Sequence, residues 1–182
     1  MKLSRIVLAL CSLGALSFAV VQGVAAQAAP KVVLSPPMTA KVSVGGGDIA
    51  IAYGAPSMRG RKIFGGLVPY GEVWRTGANP ATSLTTTVSL KIGDLDVPAG
   101  KYTVYSLPTA EGWQLIINKQ TGQWGTVYDK SQDLGRTKMT VGSTAAPVET
   151  FVIDFEKTAD SATELHLKWA GVDASVPVTV SK

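Results

Sequence analysis

Along most of this chain apolar and polar residues alternate with a period of two, the pattern of strands that bury one face. Val42 and Val44 flank Ser43, Gly45-Gly46-Gly47-Asp48 supplies a turn, and Ile49, Ile51 and Tyr53 alternate with Ala50 and Ala52. That predicts strand, turn and strand. Leu84, Thr86, Val88, Leu90 and Ile92 share one face against Thr85, Thr87, Ser89 and Lys91, and turns follow at Gly93-Asp94 and Pro98-Ala99-Gly100. Lys101 to Leu107 is apolar on both faces and reads as a central strand, with Trp113, Leu115 and Ile117 on the next. Phe151, Ile153 and Phe155 define another face, and Thr163, Leu165, Leu167 and Trp169 one more. After a turn at Ala170-Gly171, Val172, Ala174, Val176, Val178 and Val180 alternate to the end. The expected fold is a single antiparallel β-sandwich, jelly-roll or immunoglobulin-like, built from about eight to ten strands between Pro37 and Val180. Its expected core is Leu90, Val104, Leu115, Phe151, Ile153, Leu165, Leu167, Trp169 and Val178.

Two segments break the alternation. Arg59 to Thr82 reads RGRKIFGGLVPYGEVWRTGANPAT and holds three arginines and five glycines in 24 residues. Its glycines imply turns of unusual backbone angle. Ile63, Phe64, Leu67, Val68, Tyr70, Val73 and Trp74 give it apolar surface to bury, so an ordered loop packed on the scaffold is expected. Asn118 to Arg136, with Trp124, Tyr128, Asp129 and Asp133, is the second irregular segment.

The first residues have a different character. Lys2 and Arg5 precede an apolar run from Ile6 to Val21, and Ala26-Gln27-Ala28 fits an A-x-A cleavage site, with Val24-Ala25-Ala26 as a nearby competitor. At about 16 residues the run is shorter than the ~20 a spanning helix needs. A cleaved signal peptide over residues 1–28 is therefore expected, followed by one domain over residues 29–182. The sole cysteine, Cys11, lies in the leader behind a Leu10 too bulky for a lipoprotein acceptor, so the mature chain has no thiol or disulfide. Export without disulfides fits a bacterial periplasm or surface. The full chain carries +4; without Lys2 and Arg5, 15 basic residues face 13 acidic ones. No basic run points to nucleic acid, and no later segment is long and apolar enough to span a membrane.

Three stretches, GRKIFGGLVPYGEVWRTGANPAT, VPAGKYTVYSLP and GWQLIINKQTGQWGTVYD, resemble the bacterial domain of unknown function 2911 family across essentially the whole mature chain. The resemblance implies an exported, mostly β domain. It marks Arg61, Gly65, Gly66, Pro69, Trp74, Arg75, Gly77, Asn79 and Thr82 as family positions. Trp113, Asn118, Lys119, Trp124, Gly125 and Asp133 follow downstream. It implies no activity, so function has to come from the side chains.

Arg61 and Arg75, with Arg59 near them and Asn79 close in sequence, offer guanidinium forks that match a carboxylate, sulfate or phosphate. The competing reading is that Arg75 pairs with Glu72, Asp129 or Asp133 and pins the two irregular segments together. The ligand-binding set expected is Arg61, Arg75, Asn79 and Trp124, supported by Glu72, Trp74, Asp129 and Asp133. Trp124, beside Gly122 and Gly125, is the exposed indole able to stack on a sugar ring, whereas Trp113 belongs to the core. His166 is the only histidine and shares an outward strand face with Glu164 and Lys168, where it is expected to be solvated. No metal or cofactor is expected, since zinc spacing and a calcium loop are both missing. No G-x-S-x-G elbow or phosphate loop occurs either. Two functions of different class remain: a non-catalytic binding domain for an acidic or hydroxyl-rich small molecule or glycan, and a glycan hydrolase using Glu72, Asp129 and Asp133.

Overall fold

The structure is a computed structural model that describes residues 33–181. The leader, Cys11, the cleavage site near Ala28 and the start of the lead-in lie outside the described residues. Nine strands follow: β1 (Pro37–Val44), β2 (Gly47–Gly54), β3 (Thr82–Thr86), β4 (Leu90–Ile92), β5 (Leu95–Val97), β6 (Gly100–Pro108), β7 (Trp113–Asn118), β8 (Asp133–Ala159) and β9 (Ala162–Val180). Among the described residues the only helical element is one 3-10 turn, Lys130–Gln132.

Every neighbouring pair is antiparallel, in the order β1-β2-β3-β6-β7-β8-β9-β4-β5. The sheet folds into two layers because β8 changes partner along its length. Asp133–Met139 pairs with β7, whereas Thr140–Ala159 pairs with β9. Between the layers lies one apolar core in which all nine residues expected there are buried. Burial of a Leu, Ile, Val or Phe side chain is worth about 1.5–3 kcal/mol, so this face-to-face core is the main stabilising term. The fold is an all-β sandwich, as the alternation predicts.

Local chemistry explains where the strands depart from expectation. The Gly-rich turn closes in two residues, because Gly45 and Gly46 take φ +55° and +77° while Val44 pairs with Gly47. That is the hairpin turn whose twist matches its strands, and it needs positive φ at both positions. The alternating run Leu84–Ile92 is not one strand. It breaks at Thr87–Ser89 and passes from the first layer (β3) to the second (β4), keeping Leu84, Thr86, Leu90 and Ile92 buried throughout. The period of two records the core face, and both layers share it. Ala170-Gly171 is a bulge inside a continuous β9 rather than a turn. The register shifts there against Ser143–Val148, and Ala170 takes φ +52°. The second irregular segment ends at Gln132 instead of Arg136, because β8 begins at Asp133.

Candidate functional site

The Arg59–Thr82 segment crosses from one layer to the other over the core. At its start Ser57 bridges Thr150, and the Met58 N–H donates to Glu149 O at 2.8 Å, both on β8. Further on, Trp74 and Ser106 of β6 exchange backbone hydrogen bonds of 2.8 and 2.9 Å. Ile63, Phe64 and Val68 are buried. Trp74 stacks on Trp169 of β9 with ring centroids 5.7 Å apart and planes 17° apart. Phe151 packs edge-on to Trp74 at 5.0 Å, and Phe64 to Trp113 at 4.8 Å. These aromatic contacts fix the segment to both layers. Leu67 and Tyr70 remain about half exposed.

The backbone around Arg75 is held in an unusual shape. Arg59, Thr76 and Asn79 take φ of +50°, +52° and +66°. Asn tolerates this region, but a β-branched Thr is a steric outlier there. Such positions cost about 1–3 kcal/mol each and persist only where neighbours over-determine them. Thr76 is fully buried, its hydroxyl 3.0 Å from Ser106 Oγ, and its carbonyl accepts from Thr82 Oγ1 at 2.8 Å. The second irregular segment docks on this turn. Gly125 N–H and Ala81 N–H donate across the joint to Asn79 O and Gln123 O, each at 3.3 Å. Gly125 is required by the approach: a Cβ there would lie 2.5 Å from Arg75 Cδ and 2.8 Å from Asn79 O.

A cleft of about 520 Å³ opens over this turn, lined by Arg59, Arg61, Glu72, Trp74, Arg75 and Asn79. Leu67, Val68, Pro69, Val73 and Trp169 give it an apolar side, and Tyr105 and Tyr128 reach it from the first layer and the second irregular segment. The three arginines differ in what they have left to give. Arg59 Nη2 donates to Leu34 O at 2.6 Å, and Arg61 donates from Nε to Met58 O at 2.9 Å and from Nη2 to Ser57 O at 2.7 Å. Arg75 is half-buried and makes one long bond, Nε to Gly77 O at 3.3 Å. Among the described residues no carboxylate lies within ion-pair distance of it.

The expected residues thus separate. Arg61, Arg75, Asn79, Glu72 and Trp74 meet at the cleft. Trp124 is not among its lining residues; it stands 54% exposed beside Pro80, while its neighbours Gly125 and Thr126 face the cleft. Asp129 and Asp133 do not hold Arg75. Asp133 accepts from Arg136 Nη2 at 3.0 Å, Tyr128 Oη at 2.7 Å and Asn118 Nδ2 at 2.9 Å. Burial and the adjoining Asp133 carboxylate push the Tyr128 phenol up to about 12. Asp129 caps the 3-10 turn, and the Ser131 hydroxyl and N–H hold its carboxyl below the usual range. The apolar side of the cleft was the part sequence reading missed, although Leu67-Val68-Pro69, an apolar triplet among glycines, was the visible signal.

His166 is a correction. It occupies the outward face of β9 but is only 8% exposed, because Asp173 Oδ1 lies 2.9 Å from its Nδ1 and Glu156 Oε2 lies 3.7 Å from its Nε2. Lys168 closes the cluster on Glu156 at 2.9 Å. Among the described residues no group of three or more His, Cys, Asp or Glu side chains is arranged to hold a metal ion. No helix among them is long and apolar enough to cross a membrane.

Comparison with curated proteins and with solved structures returns no match. The family model described as "Protein of unknown function (DUF2911)" matches residues 35–178, which take in every strand of the first layer, the arginine-rich segment and all of the cleft lining except Leu34. The chain belongs to the DUF2911 family.

Proposed function

We propose that this chain is an exported bacterial envelope protein and a non-catalytic binding domain, whose cleft takes an acidic or hydroxyl-rich ligand through Arg75. The observation that carries the reading is the state of Arg75: a half-buried guanidinium with one long backbone contact, facing a cleft of ligand size. A cation so placed gains most from an arriving anion, because partial burial reduces solvent screening. Asn79 adds an amide at the same wall. Glycan hydrolysis by paired carboxylates has less support, since only Glu72 of the three loop carboxylates lines the cleft.

The test is a thermal-shift screen against acidic glycans, cell-wall fragments, phosphates and dicarboxylates, repeated with Arg75→Ala and Trp124→Ala. A charge-assisted hydrogen bond is worth ~1.5–3 kcal/mol, so Arg75→Ala should weaken a hit by about one to two decades. Hits that Arg75→Ala binds as well as the parent would place the ligand elsewhere, and Trp124→Ala reports whether the exposed indole takes part. Export rests on the leader sequence, with cleavage near Ala28. Mass spectrometry of protein from the host's envelope fractions should find the shortened chain, and an intact Met1 terminus in the cytosol would refute export.

A further inference from the structure

We propose that the cleft is selective for an apolar monocarboxylate, one carboxylate head on an aromatic or branched hydrocarbon body, and discriminates against sugar acids. This deepens the reading that Arg75 meets a ligand anion and rests on it.

The head group follows from the donors left over. Arg59 and Arg61 bring positive charge to the cleft, and each already gives an Nη2 N–H to a backbone carbonyl, of Leu34 and of Ser57, with Arg61 Nε on Met58 O as well. Among the described residues neither Nη of Arg75 has an acceptor, so this is the one fork with both terminal nitrogens open. A planar fork of this kind matches one carboxylate in two parallel bonds. Three guanidinium groups against the single carboxylate of Glu72 leave the cleft net positive, which favours an anion, and the Arg75 fork is its fully open bidentate seat.

The body follows from what surrounds that seat. Leu67, Pro69, Val73 and the half-buried Trp74 offer hydrocarbon and indole surface, backed by the buried Val68 and Trp169. Leu67 is 47% exposed, an apolar side chain left uncovered at the rim. A sugar acid could turn some hydroxyls to Glu72, Asn79 or Thr126, but each one set against this apolar wall and stripped of water without a partner costs about 1–3 kcal/mol. The usual compensation, a sugar ring stacked on an open indole, has no platform here. Trp74 is stacked on Trp169 and packed against Phe64 and Phe151, and Trp124 is not among the lining residues. A hydrocarbon body gains from the same wall by leaving water.

Isothermal titration of the protein with 1-naphthylacetate, 4-methylpentanoate, the neutral 1-naphthylacetamide and glucuronate tests this directly. At least one of the two apolar acids should bind, with naphthylacetamide and glucuronate each weaker than the better acid by about tenfold to a hundredfold. Arg75→Gln should erase the preference for acid over amide. Leu67→Ser, a change outside the core, should weaken the apolar acid about threefold to tenfold and leave glucuronate unchanged. If Arg75→Gln does not fold, Arg75→Lys keeps the charge without the fork and carries the same comparison. Glucuronate binding as tightly as the apolar acids, and weakened by the Arg75 variant, would overturn the apolar selectivity while leaving the anion seat in place. Failure of every acid to bind, or binding indifferent to both Arg75 variants, would overturn the selectivity and the anion seat together.

Discussion

Arg75 and Arg136 sit on adjoining segments, and their neighbours decide what each can do. Arg136 donates to Asp133 at 3.0 and 3.1 Å and to the Tyr128 hydroxyl at 2.6 Å, so its charge is spent on structure. Arg75 faces the cleft with its stem pressed against Gly125. The Tyr128–Asp133–Arg136 triad makes a prediction with a definite sign. The Tyr128 phenol stands at about 12 in the folded state against 10.0 unfolded, with burial as the largest cause and Asp133 the next. A group raised in the folded state favours folding fully below its unfolded value, and the contribution is lost as pH climbs from 10 towards 12. Spectrophotometric titration at about 295 nm should therefore show one phenol ionising late that Tyr128→Phe removes. Over the same window Tyr128→Phe should have the flatter stability curve. A Tyr128 that ionises near 10 would mean the triad does not form. At acid pH the sign reverses for Asp129 and Glu156, which Ser131 and Lys168 respectively hold below the usual carboxylate range. Their contributions are present above about pH 4 to 5 and fade as pH falls.

Between elements, the contact that matters is the one joining the two irregular segments. Gly125→Ala would insert a methyl 2.5 Å from Arg75 Cδ and 2.8 Å from the Asn79 carbonyl oxygen. The arginine stem can yield, but the backbone oxygen cannot, so the segments must part. Overpacking of this kind costs about 1–3 kcal/mol. The expected result is a lower melting temperature together with weaker ligand binding, since the displaced stem carries the Arg75 guanidinium. A variant that melts like the parent would show that the joint is loose. The strands themselves were legible wherever one face met the core: Leu115, Ile153, Leu165 and Val178 announce their layers by alternation alone. Thr140 to Pro147 of β8 was not legible, because it runs largely exposed past the bulge opposite Ala170 and carries no apolar face to count. The arginine-rich segment was legible as ordered and chemical, yet its partners were not. Sequence spacing cannot tell that Asp133 turns to Arg136 while Arg75 is left facing the cleft. The free side of β8 past Met139 is also managed locally. There the N–H groups of Phe151, Ile153 and Phe155 donate to Pro56 O, Tyr53 Oη and Asp154 Oδ1. That side of β8 is therefore not a bare template for another chain.

Across the whole molecule, the two layers have little opportunity to come apart separately. β8 belongs to the first layer through Asp133–Met139 and to the second through Thr140–Ala159, and the Thr87–Ser89 link ties β3 to β4 between them. The aromatic cluster adds a third tie: Trp113 comes from β7, Trp169 and Phe151 from β9 and β8, and Trp74 and Phe64 from the loop that spans both. Three of the four tryptophans lie in this cluster, so tryptophan emission reports mainly the joint between layers, while far-UV circular dichroism reports the strands. A sandwich held this way should unfold in one cooperative step, so the two signals should give coincident thermal transitions. Trp74→Ala sharpens the test. Removing a large aromatic from such a cluster costs about 3–5 kcal/mol, and the half-buried state of Trp74 puts it at the lower end. In a domain of this size about 1 kcal/mol corresponds to roughly 2–4 °C, so the melting temperature should drop by about 6–12 °C. Because the indole touches both layers, both signals should shift together and remain superimposed. If the loop were only a surface attachment, Trp74→Ala would alter the emission transition and leave the dichroism transition where it was.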